Sequence, residues 1–186
     1  MRLPALLVVA AWAGIVTTAQ AQDSERAKVT LSLGVAAVWR TEVDPGALFA
    51  VRWGPPEGLG YSVELGFTPS SGAGIAVQEV SASVGAGYRW KLRRRVHLEL
   101  GARVGVLSQS YVLSDPQAPA PTGSVTASLF QAPLELVSAL SEKTALVFRL
   151  APGASNARLS HLPAVGDTWT RSLFRIEGAI LLQHTF

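Results

Sequence analysis

The chain alternates between apolar and polar residues over long stretches, and this pattern limits its fold more than any other feature. Between positions 80 and 92 every even-numbered residue is apolar or aromatic, and every odd-numbered residue is glycine, serine, arginine or lysine. A similar alternation recurs over residues 29–39, 59–68 and 96–106. Because successive side chains of a β-strand point to opposite faces, the pattern predicts strands whose two faces meet different surroundings.

Eight such segments follow one another, separated by stretches rich in glycine, proline, serine and charge. The predicted strands span residues 28–40, 47–54, 59–68, 75–92, 96–110, 124–138, 144–152 and 169–186. Pro133 lies inside the sixth segment and predicts a bulge or an early end there. Eight strands in a chain of 186 residues predict an all-β fold, a closed eight-stranded antiparallel up-and-down barrel.

The composition excludes several other classes of protein. Hydrophobic residues make up 48% of the chain and charged residues 16%, and the mean hydropathy is +0.29, which is too apolar for a disordered chain. No uninterrupted apolar run reaches the roughly 18–20 residues that a membrane-spanning helix needs. There is no cysteine, and no cluster alternates basic with aromatic residues, so we expect neither a disulfide framework nor nucleic-acid binding.

The first 21 residues are predicted to form a cleavable signal peptide. Arg2 supplies a positive charge, residues 3–16 form an apolar segment, and Ala19 and Ala21 have the spacing that signal peptidase accepts. A single membrane anchor is the alternative, but the apolar segment is short for a span and lacks a charged stop on its far side. We therefore expect an exported protein whose mature domain covers residues 22–186.

Two kinds of barrel fit the alternation. In a soluble lipocalin-like barrel the apolar face lines a ligand cavity, whereas in a transmembrane β-barrel it faces lipid. The polar face carries charges of both signs, which can neutralise each other inside a narrow barrel. The candidate interior charges are Arg52, Glu64, Arg89, Glu99, Arg103, Glu135, Arg149, Arg175 and Glu177. If Val84, Trp90 and Leu98 point outward, the transmembrane interpretation holds.

The aromatic residues favour the transmembrane barrel. Lipid interfaces attract aromatic side chains into two belts. With the N-terminus on the periplasmic side, Trp39, Phe49 and Phe67 are expected near the outer rim. The residues expected near the inner rim are Trp53, Tyr61, Tyr88, Trp90 and Phe186.

The last 13 residues add a more specific resemblance. One parity carries the large apolar side chains, which are Phe174, Ile176, Ile180, Leu182 and Phe186. A strand that ends in phenylalanine resembles the C-terminal signal that the barrel-assembly machinery of the bacterial outer membrane recognises. With the signal peptide and the eight strands, the chain resembles the small outer-membrane barrels of the OmpA/OmpX type.

This resemblance implies an outer-membrane protein with a structural, envelope or surface-interaction role and no cofactor. It implies contact with outer-membrane lipid and lipopolysaccharide. An eight-stranded barrel is filled by its own side chains, so we do not expect an open porin. The loops at 111–123 and 153–168 are the candidate surfaces for lipopolysaccharide or a neighbouring cell-surface molecule.

Catalysis is not expected, although one segment resembles an enzyme family. Ser155 and the two residues after it resemble the Ser-Asn-Ala stretch of lipid A deacylases, which are also eight-stranded outer-membrane barrels. Those enzymes carry a histidine two residues before the serine to act as the base, and here that residue is Gly153. The three histidines, His97, His161 and His184, lack metal-ligand spacing, so no metal site is expected.

Overall fold

A computed structural model describes residues 27–39, 43–72, 74–115, 122–155 and 174–186. These residues form nine β-strands. They are β1 (Lys28–Trp39), β2 (Val43–Gly54), β3 (Gly58–Gly72), β4 (Ile75–Arg93), β5 (Val96–Leu113), β6 (Thr122–Gln131), β7 (Leu134–Ala139), β8 (Thr144–Ser155) and β9 (Phe174–Thr185). The described residues contain no helix long and apolar enough to cross a membrane.

The strands form one antiparallel ring. Each strand from β1 to β5 pairs with the next, β8 pairs with β9, and β9 pairs back to β1 from Thr30↔Thr185 to Trp39↔Ile176. Strands β6 and β7 both lie between β5 and β8, so together they occupy one position in the ring. The ring therefore has eight members, and the predicted eight-stranded barrel is confirmed.

The sixth wall strand is interrupted at Ala132 and Pro133, so the predicted segment 124–138 becomes β6 and β7. Two hydrogen bonds bridge the gap. Gly101 N–H donates to the Pro133 carbonyl at 2.9 Å, and Ala132 N–H donates to the Pro152 carbonyl at 2.9 Å. A proline cannot donate to a strand ladder, which explains the interruption.

Several strands are longer than the sequence predicts. Residues 44–46 and 69–72 were expected to be loops, but they lie in β2 and β3. Pro45 pairs only with β1, and Pro69 pairs only with β4, because the β2–β3 ladder stops at Ala47↔Phe67. A proline is tolerated where a strand has lost one neighbour. The predicted signal peptide, and residues 169–173 of the last predicted strand, lie outside the described residues.

The two ends of the barrel differ. At one end, here called the turn end, β1 begins, β9 ends and the connections are short, at 55–57, 94–95 and 140–143. The opposite end is the loop end, and it includes the two longest connections, at 114–121 and 156–173.

The apolar face of the sheet points away from the barrel axis. Leu33, Val35 and Leu182 are 62%, 68% and 56% exposed, whereas the neighbouring positions of opposite parity are buried or half-buried. Trp90 is 43% exposed, and Val84 and Leu98 lie on the same outward face. The barrel is therefore transmembrane, and the lipocalin-like alternative, which needs an apolar lining, is wrong.

Candidate functional site in the barrel interior

The structure buries every predicted interior charge. All nine side chains point into the ring and are at most 6% exposed. A tenth residue, Glu79 on β4, is 1% exposed and was missed by the sequence analysis. It lies ten positions before Arg89 and has the same parity, so continuing the alternation of that strand toward its start would have found it. Asp44, at the loop end of β2, is an eleventh buried charge.

The middle of the barrel holds a closed cycle of two arginines and two glutamates. Arg103 Nη2 lies 2.6 Å from Glu64 Oε1 and 2.7 Å from Glu135 Oε1. Arg149 Nη1 lies 2.6 Å from Glu64 Oε2, and Arg149 Nη2 lies 2.7 Å from Glu135 Oε1. Every charge in this cycle faces two of opposite sign, which offsets the cost of removing the four groups from water.

Toward the turn end, two arginines share one carboxylate. Nε of Arg89 and Nε of Arg52 lie 2.7 Å and 2.9 Å from the same oxygen, Glu99 Oε2. Arg52 Nη1 also donates to the Pro55 carbonyl at 3.2 Å. This layer therefore carries one more positive than negative charge.

Toward the loop end the ratio is reversed. Arg175 Nη1 lies 2.8 Å from Glu79 Oε1, and Arg175 Nη2 lies 3.6 Å from Glu177 Oε2. Gln109 donates to Glu79 at 2.7 Å, and Gln131 donates to Glu177 at 3.3 Å. The layered charges thus run from excess positive at the turn end to excess negative at the loop end.

Inward-facing glycines make room for these long side chains. A Cβ built at Gly87 would lie 2.6 Å from Glu99 Oε1, and a Cβ at Gly60 would overlap the guanidinium of Arg52. A Cβ at Gly85 would overlap the side chain of Arg103. The glycine content of the polar face therefore permits close approach of the charged side chains.

Apolar side chains complete the filling. One inward cluster contains Leu48, Val137, Val147, Ala179 and Leu181, and another, nearer the loop end, contains Ile75, Val77, Tyr111 and Leu113. Between the layer at Glu99 and the cycle at Arg103 the remaining gap is too small for a water molecule. At this level the described interior is packed by side chains, with charged layers on both sides of the gap.

Solved structures share this barrel fold. Neisserial surface protein A matches with a TM-score of 0.63 and 13% identity, over 86% of this chain and 97% of its own. A major outer membrane protein from Thermus thermophilus matches with a TM-score of 0.61 and 15% identity, over 85% and 99%. Ail, the attachment invasion locus protein of Yersinia pestis, matches with a TM-score of 0.53 and 12% identity, over 87% and 99%. This is the fold of the small outer-membrane β-barrels.

The predicted OmpA/OmpX-type barrel is thereby confirmed at the level of fold. Sequence comparison adds nothing further, since no family model and no curated protein matches the chain. Identities of 12–15% show a shared fold alone.

Several aromatic side chains of this barrel fold lie near the two ends of the strands. Tyr88 and Trp90 lie near the turn end with their rings 4.8 Å apart, and Trp53 stacks on Tyr61 at 6.2 Å. Trp39 lies at the loop end of β1, with its ring over Gly178.

The expected outer belt differs in one member. Phe67 lies eight residues along β3 from Leu59, near the length of a membrane-crossing strand. Phe49 pairs with Leu33 and Leu65 in the middle of β2. Its expected place at the rim is therefore wrong, because β2 begins four residues earlier than predicted.

The predicted C-terminal signal forms an exposed apolar row along β9. Ile176, Ile180 and Leu182 are 45%, 50% and 56% exposed, and Phe174 and Phe186 are 73% and 69% exposed. Phe186 N–H donates to the Val29 carbonyl at 3.0 Å, and its ring meets His184 edge-on at 4.9 Å. The row lies next to β1, at the junction that closes the ring.

The residues considered for catalysis are not assembled within the described part of the chain. Ser155 is buried and pairs with Leu129 at the last described residue of β8, and His97 lies at the turn end. His161 lies outside the described residues. Among the described residues no group of three histidine, aspartate or glutamate side chains could hold a metal ion.

Proposed function

We propose that the protein resides in the bacterial outer membrane as a non-catalytic, side-chain-filled barrel with a structural and surface-contact role. The proposal rests on one observation: charged and apolar side chains fill the described interior of the barrel, while its outer surface is apolar. Salt bridges cross the interior in three layers, and the exposed face is aliphatic and aromatic. Such a body anchors loops in a membrane and offers no passage for solutes.

Two measurements test the barrel's location and closed state. The protein is expected to stay in membranes during a carbonate wash and to migrate differently on mildly denaturing gels before and after heating. In planar bilayers the purified barrel is expected to give no steady conductance. Release by carbonate would contradict the location, and a stable open channel would contradict the filled interior.

The loop end is the proposed contact surface. Lipopolysaccharide and a neighbouring cell-surface molecule are the proposed partners, because the long connections at 114–121 and 156–173 both emerge there. One neighbour of the same fold, Ail, has been solved with a heparin analogue, sucrose octasulfate, which suggests including sulfated glycans in the assay. Deleting residues 156–166 is expected to abolish partner binding while the heat-dependent gel shift remains. Unchanged binding would rule out this loop.

Assembly is proposed to depend on the C-terminal row. The barrel-assembly machinery is the proposed partner of Phe186 and the residues of its parity. Phe186→Ala is expected to slow insertion into membranes that contain this machinery. Unassisted insertion into synthetic bilayers should change little. An equal delay in both systems would indicate a purely structural role.

Hydrolysis of lipid A is the activity that this proposal excludes. Incubation of the purified barrel with lipopolysaccharide is expected to release no acyl chain. Release that disappears in Ser155→Ala would overturn the non-catalytic assignment.

A further inference from the structure

The turn end of the barrel contains an open cavity of about 130 Å³, here called the vestibule. This volume is far above the roughly 10–15 Å³ that a single water needs. Among the described residues, its charged lining consists of Lys28, Arg52, Arg89 and Lys143, with Glu142 as the one acidic side chain. The vestibule is therefore basic, although the layered charges beneath it are balanced in the middle cycle.

The two arginines of the vestibule are incompletely paired. Arg52 and Arg89 are each 6% exposed and depend on the single carboxylate of Glu99. Arg52 Nη2 and Arg89 Nη2 have no hydrogen-bond partner among the described residues. Arg103 Nη1 in the middle cycle also has none, so the two layers differ in their ratio of arginines to carboxylates and not in the presence of an unpaired donor. A buried donor without a partner is destabilising, and two guanidinium groups on one carboxylate leave a positive charge without a counterpart.

The middle cycle provides the comparison. There each of the two arginines, Arg103 and Arg149, has two carboxylates within 2.7 Å. The turn-end layer has the same number of arginines and half the carboxylates. An incoming anion would supply the missing acceptors.

We propose that the vestibule is a binding site for a phosphate group, held by Arg52 and Arg89 with Lys28 and Lys143 at the entrance. Guanidinium groups bind phosphate oxygens through paired hydrogen bonds, and low exposure strengthens such bonds relative to water. The phosphate reaches the site from the aqueous side of the turn end, either on a soluble molecule or as a lipid headgroup that bends over the rim.

The site can be tested by NMR of the folded barrel in a nonionic detergent. Titration with inorganic phosphate is expected to shift the Nε–Hε signals of Arg52 and Arg89 and to leave the signal of Arg149 unchanged. An absence of shifts at Arg52 and Arg89 would overturn the proposal. Shifts of equal size at all three arginines would overturn it too, because they would indicate a general salt effect.

Two variants distinguish phosphate binding in the vestibule from a general effect of positive surface charge. Arg89→Gln is expected to weaken phosphate binding about tenfold or more, because it removes charged hydrogen bonds to the anion. Arg94→Gln is the matched control, since Arg94 is exposed at the same end and does not line the vestibule. Equal weakening by the two variants would overturn the site.

A third variant keeps the test independent of any loss of folding. Glu99→Gln preserves shape but releases both arginines from their shared carboxylate, and it is expected to tighten phosphate binding severalfold. Weaker binding in a folded Glu99→Gln barrel would contradict the proposal. The heat-dependent gel shift establishes folding of each variant.

Vesicles distinguish the two sources of the phosphate group. The barrel is reconstituted without added phosphate into phosphatidylcholine alone or with phosphatidylglycerol, which exposes its phosphate more freely. Shifts that appear with phosphatidylglycerol alone support a headgroup as the ligand. Shifts that require added inorganic phosphate support a soluble one. Insensitivity to every phosphate source in both membranes would overturn the proposal.

Discussion

Arg149 and Glu64 lie on opposite walls of the barrel, 85 positions apart in the chain, and their side chains meet at 2.6 Å between Nη1 and Oε2. In the ring of eight, β3 and β8 are separated by three strands on either side. The contact therefore crosses the full width of the interior. A second pair, Arg175 with Glu79, joins β9 to β4 in the same way.

We expect Glu64→Gln to lower the free energy of unfolding by about 3–5 kcal/mol, because Arg103 and Arg149 would then share Glu135 alone in a buried site. Urea titration of the barrel in detergent measures this. Glu57→Gln is the control. Glu57 pairs with Lys91 at 3.3 Å, but both side chains are about half exposed, so less than about 1 kcal/mol is expected. Similar losses in the two variants would contradict the importance of burial.

A double-mutant cycle on Arg175 and Glu79 is expected to give a coupling free energy of at least about 1 kcal/mol. Each single alanine variant leaves the other charge buried, at 2% and 1% exposure. The double variant removes both charges and should be more stable than the sum of the single losses predicts. Strict additivity would show that the cross-lumen contact contributes nothing.

Gly87→Val is expected to destabilise the barrel by about 1–3 kcal/mol, since the new side chain would displace Glu99 from its two arginines. Ala86→Val is the matched control on the same strand, because Ala86 lies on the outward face. Its effect should stay within about 0.5 kcal/mol. Equal effects at the two positions would mean that the glycine does not serve close approach.

Val104→Arg is expected to cost about 2–4 kcal/mol in a bilayer, because Val104 lies on the outward face in the membrane-crossing part of β5. Val112→Arg, near the loop end of the same strand, should cost about 0–1 kcal/mol. Unfolding in lipid vesicles gives both values. A reversed order would show that the membrane covers the loop end of β5.

The sequence predicted the strands best where alternation was uninterrupted. The alternation in β4 and the first half of β5 correctly assigns both faces, because one parity must face lipid. The sequence-based prediction was wrong at Pro45 and Pro69. Proline suggested loops there, but each of the two residues lies in a strand and pairs with a single neighbouring strand. Whether a strand keeps one neighbour or two depends on the lengths of other strands, and local sequence does not contain this information.

The interior charges could be found from parity, but their partners could not. From the sequence, Arg149 could pair with any inward-facing glutamate. In the structure it contacts both Glu135, its direct neighbour on β7, and Glu64 across the barrel. Partner choice depends on ring size and register. The sharing of the single Glu99 carboxylate by Arg52 and Arg89, which underlies the vestibule, becomes visible only with these distances.

The ladder between β1 and β9 closes the barrel and is here called the seam. The two ion pairs that cross the interior make barrel closure depend on the correct pairing of these strands. An open, curled sheet leaves Arg149 and Arg175 in water, far from Glu64 and Glu79. Joining the seam removes water from both pairs as it brings them together, so the desolvation cost and the Coulomb gain arise in one step. If β1 and β9 paired two residues out of register, every side chain would still lie on its correct inward or outward face. The buried charges, however, would lose their partners across the barrel. Electrostatics therefore enforces the register that hydrophobic patterning alone leaves open.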